Sequence, residues 1–427
     1  METKINIPGK YLKILAEISR YLLAFTFLFS GYVKAVDPWG VVYKNLDYFE
    51  ALGMKFLDFA VYPFSFCLFA LEFALGFCLL LGICRKSSGI LIFLFMLFMA
   101  PFTLFLAITN PVTDCGCFGE AWIITNWQTF FKNIVLLLAS LVVFLEYKRM
   151  TPLFSPKSQL PALAWGGVFI FGFSIYCFIY LPTLDFRPYK RGAYLPELME
   201  IPEDAEQDEY ESILIYSKDG KEQEFTLENY PREDDSWTFV DSKNKLIKKG
   251  YEPPVHDFVV LAEDGEDITD RLLSEPTYTF LLVSYKLEKA SDSNADKINE
   301  IYDYAKEYGY PFYALTSSVP DVVEEWKRNT GAEYSFCSMD DITLKTIVRS
   351  NPGLVLMKEG TIINKWPHTC LPDKSLLTGE LAESSLGGVP PDHSTRNTLL
   401  TILLLFAPLA VLSLYDRLKG KKKQENQ

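Results

Sequence analysis

Apolar positions gather in six long runs, at residues 12–33, 59–83, 89–109, 129–146, 161–181 and 398–415. A membrane's hydrocarbon core is about 30 Å thick, so a helix crosses it with roughly 20 apolar residues. The pattern therefore predicts six transmembrane helices, of which 129–146 and 398–415 lie near the lower length limit. The first run passes into Ser30-Gly31-Tyr32-Val33-Lys34 with no small-residue cleavage site, and reads as a retained span rather than a signal peptide. Its short connections to the next three make residues 1–150 an antiparallel four-helix unit, and residues 151–182 supply a fifth span.

The pattern changes after residue 182. Short strand-like runs lie on either side of Lys218-Asp219-Gly220-Lys221, so residues 183–250 read as a linker or a β-insertion. In residues 251–380 strands are predicted at 258–261, 278–285, 311–316 and 334–337. Helices are predicted at 292–308, 320–329 and 343–349. A closing hairpin, 353–358 with 361–366, turns at Glu359-Gly360. Strands separated by helices imply an α/β sheet, to which the hairpin adds antiparallel strands. Residues 381–397 form a Gly/Pro tether into the sixth span, 398–416, and residues 417–427 are a basic tail. The fold class expected is a membrane all-α bundle joined to an α/β domain.

Charge orients this arrangement. Lys4, Lys10 and Lys13 flank the first span, and Arg85 and Lys86 join the second to the third. Lys148, Arg149 and Lys157 lie between the fourth and fifth, and Arg417, Lys419, Lys421, Lys422 and Lys423 follow the sixth. With six spans these all fall on one side. Both termini are then cytoplasmic, and the segments 34–58, 110–128 and 182–397 are extracytoplasmic. Arg187, Lys190 and Arg191 go against the rule, which long translocated domains obey weakly. The expected place is a bacterial cytoplasmic (inner) membrane. The net charge of −13 resides largely in residues 185–396. It excludes a nucleic-acid footprint, which needs clustered Lys and Arg, and an acidic domain is repelled by anionic lipid.

The sharpest chemical feature is Thr113-Asp114-Cys115-Gly116-Cys117-Phe118-Gly119 in the third extramembrane segment. Two thiols this close can form a disulfide or pass one to a partner in an oxidising compartment, and a tight, exposed bond of that kind is labile. Structural cysteines bonded elsewhere fit the spacing equally well. No His lies near enough in sequence for a metal centre: the three are His256, His368 and His393. Glu72 stands among apolar neighbours in the second span. It is either a functional carboxylate or a neutral, hydrogen-bonded staple between helices. Lys34 and Asp37 are expected at the outer interface, the one snorkelling and the other solvated. Cys67 and Cys177 could approach the Cys-Gly-Cys loop or serve as small apolar fillers.

Some of these residues resemble known families. Ser30-Gly31-Tyr32-Val33-Lys34-Ala35-Val36-Asp37-Pro38 and Leu71-Glu72-Phe73-Ala74-Leu75-Gly76 resemble the DoxX signature. Asp114-Cys115-Gly116-Cys117-Phe118-Gly119 resembles the related MauE methylamine-utilisation membrane proteins. The likeness covers about residues 10–150. It implies a redox-associated four-helix membrane protein, in some relatives linked to disulfide formation in exported proteins or to quinone-coupled oxidation. Handling of methylamine is not implied.

In residues 251–380, Pro254-Val255-His256-Asp257-Phe258, the strand 278–285 and Ser350-Asn351-Pro352-Gly353-Leu354-Val355-Leu356-Met357 resemble a thioredoxin-like domain of the peroxiredoxin and TlpA type. The resemblance makes Pro352 the fold's cis-proline and places a Cys-x-x-Cys after the strand ending at Tyr285. The sequence there is Lys286-Leu287-Glu288-Lys289. Without those sulfurs the domain cannot run the usual exchange. The thiols left to it are Cys337 and Cys370, as a structural disulfide, two unpaired thiols or partners of the membrane loop. Cys370 precedes Pro372-Asp373, a helix start that would activate it.

Two functions follow as expectations. One is a thiol–disulfide relay in which Cys115 and Cys117 exchange electrons with exported proteins and with a membrane carrier, a quinone being the candidate cofactor. The other is a non-enzymatic, membrane-anchored binding module with an inactive thioredoxin-like domain. Transport has little support, since Glu72 is the clear mid-span carboxylate and no broken helices are evident. Expected partners are membrane lipid and exported clients, with no nucleic acid and no metal.

Overall fold

The computed structural model describes residues 9–112, 114–207, 209–218, 220–232, 234, 236–248 and 250–425. Lys4, Thr113 and Asp219, and the side chains of Lys421, Lys422 and Lys423, lie outside the described residues. In chain order the membrane part comprises α1 (Gly9–Val36), α2 (Pro38–Ala51), α3 (Val61–Leu81), α4 (Arg85–Thr109), α5 (Asn126–Glu146) and α6 (Pro156–Ile179). Five helical segments are long and apolar enough to cross a membrane: Lys55–Leu81, Arg85–Thr109, Asn126–Arg149, Pro156–Ile179 and Ser394–Lys419. The sixth expected span, α1, falls short on composition because it carries Lys10, Lys13, Glu17, Arg20 and Lys34. It nonetheless runs through the middle of the bundle, packed on α3, α5 and α6.

Glycine makes that central packing close. Gly31 of α1 sits on the backbone of α3, where an added Cβ would lie 2.6 Å from the Phe73 nitrogen. Gly76 of α3 returns the contact, its Cβ position 2.5 Å from the Leu28 nitrogen. Small residues that let backbones approach are what helix association in lipid relies on. The buried Arg20 is satisfied in the same place. Its guanidinium donates to the Leu79, Leu80 and Thr151 carbonyls and pairs with Glu17 at 2.7 Å. Arg20 thus caps the carbonyls that α3 leaves open at its C-terminal end. Arg85 reaches the Lys148 and Met150 carbonyls at this same end of the bundle.

The soluble part follows as α7 (Leu195–Met199), β1 (Glu209–Lys218), β2 (Lys221–Thr226), β3 (Thr238–Lys248) and α8 (Thr269–Leu273). Next come β4 (Tyr278–Ser284), α9 (Ala295–Glu307), β5 (Phe312–Thr316), α10 (Pro320–Thr330), β6 (Ser335–Ser338), α11 (Asp341–Ile347), β7 (Gly353–Lys358) and β8 (Thr361–Pro367). α12 (Ser394–Glu425) closes the chain and packs on α6, where the Trp165 indole donates to the Leu405 carbonyl. Strands β1, β2 and β3 form an antiparallel sheet of order β2-β1-β3 within the segment expected to be a linker or insertion.

The larger sheet has order β6-β5-β4-β7-β8, with β4, β5 and β6 parallel and β7 and β8 antiparallel. β4 is buried along its whole length because cores lie on both faces. α9 and α10 cover one face, and α7, α8 and α11 cover the other. This is a thioredoxin-like α/β domain, and its Asn351–Pro352 peptide is cis. The stretch 258–261, expected as a strand, is not one. Its Val260 N–H is taken by the Thr269 hydroxyl, and only Leu261 pairs with β6, so a turn satisfies its backbone in place of a ladder.

Candidate functional site

The Cys-Gly-Cys loop is fixed at both ends. Asn126, the first residue of α5, donates to the Asn110 side chain at 2.8 Å and to the Val112 carbonyl at 2.9 Å. Asp114 accepts the Gly116 N–H at 2.8 Å and pairs with Lys44 of α2 at 2.7 Å. Gly116 takes φ +65°, a left-handed conformation that costs glycine little, and an added Cβ would press on Lys44 at 3.0 Å. The resulting turn throws both sulfurs to one side, 2.9 Å apart. Tyr48 of α2 donates to the Cys115 carbonyl at 3.0 Å.

The sulfurs lie on the wall of a cavity of about 560 Å³. Its apolar lining includes Phe27, Phe95, Met96, Phe102 and Leu136, and it reaches the lipid-facing Phe64 and Phe98. α3 and α4 pack against each other far less than α1 packs on α3 or α4 on α5, and side chains of both line the cavity. Its polar wall carries Lys34, Glu72, Lys132 and Asn133. Lys34 donates to both Glu72 oxygens at 2.7 Å. The Ser30 hydroxyl lies 2.9 Å from Glu72 and 2.6 Å from the Cys117 carbonyl, joining the ion pair to the loop.

Two expectations are overturned here. Lys34 does not snorkel and Asp37 is not solvated: they are 6% and 8% exposed. Lys34 turns inward to Glu72 because a buried carboxylate is costly without a counter-charge. Glu72 thus joins α3 to α1 through Lys34 and Ser30. Asp37 meets Arg349 of the thioredoxin-like domain, whose guanidinium nitrogens reach its carboxylate at 2.9 to 3.1 Å. Burial opposes ionisation of Asp37, but the Arg349 and Arg187 charges outweigh it and hold the carboxyl below its usual range.

Through this contact the soluble domain roofs the cavity. Ile342, Lys345, Thr346 and Arg349, in and just after α11, line its upper side. The Tyr285 ring, at the end of β4 where a thioredoxin's cysteines begin, packs edge-on against Tyr43 of α2 at 5.6 Å. The edge carrying Tyr285, Arg349 and the cis-Pro352 loop is therefore turned toward the membrane domain. Asp185 strengthens the attachment, accepting from Lys365 at 2.5 Å and from Arg187 at 2.8 Å.

The domain's own thiols stay apart. Cys337 is on edge strand β6 and Cys370 follows the opposite edge strand β8. Four strand spacings of about 4.8 Å put them on the order of 19 Å apart, far beyond disulfide reach. Burial pushes the Cys337 thiol up to about 11. No α-helix starts at Pro372-Asp373. A three-residue 3-10 turn, Lys374–Leu376, stands there, so the activating dipole expected at Cys370 is missing. Neither Cys67, exposed on α3, nor Cys177, buried in α6, lines the cavity.

The membrane-loop pair differs. Cys117 accepts a hydrogen bond from Cys115 and faces the Lys132 and Lys34 charges, which together hold its thiol below the ordinary range despite burial. Donating that bond and being buried push Cys115 up. Of the residues that build this site, sequence reasoning missed Lys44, Tyr48, Lys132 and Arg349. Lys132 carried a signal, a cation within an apolar span. The other three became legible only once α2 and α11 were placed.

Comparison with known proteins divides the chain in the same way. Residues 12–146 match the family model "Methylamine utilisation protein MauE", and residues 210–249, covering β1 to β3, match "Domain of unknown function (DUF8463)". No curated protein matches the chain. A solution structure from Bacteroides thetaiotaomicron, assigned as a protein disulfide isomerase, is similar at 16% identity over 27% of this chain and 77% of that one, with a TM-score of 0.23. The chain is thus a multi-pass membrane protein whose N-terminal bundle is similar to the MauE methylamine utilisation proteins.

Proposed function

We propose that this protein is a membrane-bound thiol–disulfide oxidoreductase whose working pair is Cys115 and Cys117. The observation that carries the reading is the pair of sulfurs 2.9 Å apart on the wall of a largely apolar cavity between the membrane helices. In the oxidising direction an exported dithiol attacks the Cys115–Cys117 disulfide. The client leaves with a new S–S bond, and the loop keeps two electrons and two protons as two thiols. Reoxidation forms the loop S–S bond again and passes those electrons and protons to a membrane-dissolved acceptor.

A quinone, when bound, supplies such a two-electron, two-proton acceptor. The cavity suits its headgroup: about 560 Å³ is within the usual range for small-molecule sites, and aromatic and methionine walls lead in from the lipid side. Phe27, Phe95 and Phe102 would hold a ring, while Lys34, paired with Glu72, presents a donor beside the thiols. On reoxidation Cys117, the more ionised sulfur, would attack the acceptor, and Cys115 would then displace the reduced acceptor from it, closing the loop disulfide.

Basic residues at the end of the bundle remote from the thiol loop support cytoplasmic termini and an extracytoplasmic soluble domain. The alternative, a client-binding module without redox chemistry, would need the cis-proline edge of the domain, which is packed on α2.

Alkylation trapping of intact membranes tests the proposal. Cys115 and Cys117 should shift between oxidised and reduced forms on quinone and thiol challenge. A pair locked in either form under both challenges sinks it.

A further inference from the structure

Five cations line the cavity among the described residues, and one of them, beside the thiol loop, is in no ion pair. Four cations that line it have a carboxylate partner: Lys34 with Glu72, Lys44 with Asp114, Lys345 with Asp341 and Arg349 with Asp37, at 2.7 to 2.9 Å. Lys132, near the start of α5, makes no ion pair among the described residues. Its ammonium lies 4.3 Å from the centre of the Phe118 ring, and Phe118 directly follows Cys117. That ring is fixed in turn, stacked on Trp122 at 5.7 Å and tilted against Phe29 at 5.4 Å. An aromatic platform thus holds a long, flexible side chain next to the thiol loop, and cation–π attraction keeps it there. Asp47 and Glu120 also line the cavity but form no ion pair with Lys132, whose ammonium is held on the thiol loop's own Phe118, so the adjoining thiols are the groups that can supply it with an anion.

Resting on the oxidoreductase reading, we propose that Lys132 is the positioning residue of the site, its uncompensated ammonium holding Cys117 as the attacking thiolate. Lys34 also favours the thiolate, but the other groups facing Cys117 are uncharged or already paired. Cys115 shares a hydrogen bond with Cys117 but brings no positive charge, and Tyr48 of α2 is a neutral phenol whose hydroxyl is given to the Cys115 carbonyl. Lys34 of α1 is neutralised by Glu72 of α3. Lys345 and Arg349 of the roof are committed to Asp341 and Asp37. The role gives the two cysteines different work without any difference in their backbone setting. It also makes the reduced loop ready to attack near neutral pH.

The test is the pH profile of Cys117 alkylation by iodoacetamide in the reduced, full-length protein. It is read by peptide mass in a Cys115→Ser background, which keeps a hydroxyl donor at that position. An opposite charge within about 4–6 Å shifts a titratable group by about one to three pH units. From a Cys117 pKa of about 6, Lys132→Met should therefore slow alkylation at pH 7 by about twofold for a one-unit rise and about tenfold for two units, and leave the high-pH plateau unchanged. Lys132→Arg should restore the profile. An unchanged plateau shows that the site is intact, which a merely structural role for Lys132 would not give. If Lys132→Met does not accumulate, Lys132→Gln is read in the same way. A profile that stays in place when the charge is removed overturns the proposal. Cycling of the wild-type pair is measured separately by trapping, so the oxidoreductase reading and the role of Lys132 fail independently.

Discussion

Removing Arg349 should undock the thioredoxin-like domain from the bundle. Its side chain and that of Asp37 are 4% and 10% exposed, and three nitrogen–oxygen contacts of 2.9 to 3.1 Å join them. Arg349→Met leaves Asp37 buried without its principal partner. Breaking a buried pair in this way costs about 3–5 kcal/mol, whereas replacing both partners by apolar groups is close to neutral. At about 1.4 kcal/mol per decade, the single change lowers the docked-to-undocked ratio by roughly two to three and a half orders of magnitude. In the double variant Asp37→Leu/Arg349→Met most of that loss should return. What remains is about 1 kcal/mol, because Asp37 also caps α2 through the Gly40 N–H at 3.0 Å. Hydrogen exchange of α2 and α11 amides in the full-length protein reads the effect directly. Exchange should be fast in Arg349→Met, near wild type in the double variant, and intermediate in Asp37→Asn. Acid should act in the same direction. A carboxyl depressed in the folded state contributes stability that is complete above its unfolded value of about 3.9 and is lost as pH falls through the folded value. Exchange in Arg349→Met no faster than in the wild type, or a double variant no better than the single one, would refute the reasoning.

Two further outcomes are expected. Gly76→Ala would put a methyl group 2.5 Å from the Leu28 nitrogen, so α1 and α3 must separate. Overpacking of this kind costs about 1–3 kcal/mol, and a lowered thermal midpoint of the solubilised protein checks it. Cys337→Ala and Cys370→Ser should leave cycling of Cys115 and Cys117 unchanged in the trapping assay. A changed redox state of the loop in either variant would show that the domain's thiols take part after all.

Much of this molecule was legible in the sequence because the relevant forces are local or periodic. A bilayer imposes a length, so the runs at 59–83, 89–109 and 161–181 correspond to α3, α4 and α6 within a few residues. Alternation and breakers set out β4 to β8, and the missing Cys-x-x-Cys after Tyr285 could be read from the chain. The sulfurs of Cys115 and Cys117 meet because a single glycine between them takes a left-handed turn, which is also a local matter. α2 escaped notice because its apolar positions are too few and too scattered to stand out from a loop. It forms where Asp37 caps it and Asn45 bonds to Ser65 of α3.

Sequence by itself thus determined the spans, the α/β domain without its redox pair and the proximity of two thiols. Tertiary structure alone decided the fate of each charge. Nothing near Asp37 announces a partner 312 residues away in Arg349, and nothing near Lys34 says that it will turn inward to Glu72. Burial makes an unpaired charge costly but does not say which opposite charge will meet it. That choice depends on how helices and domains are brought together, and here it leaves Lys132 unpaired beside Cys117 among the described residues.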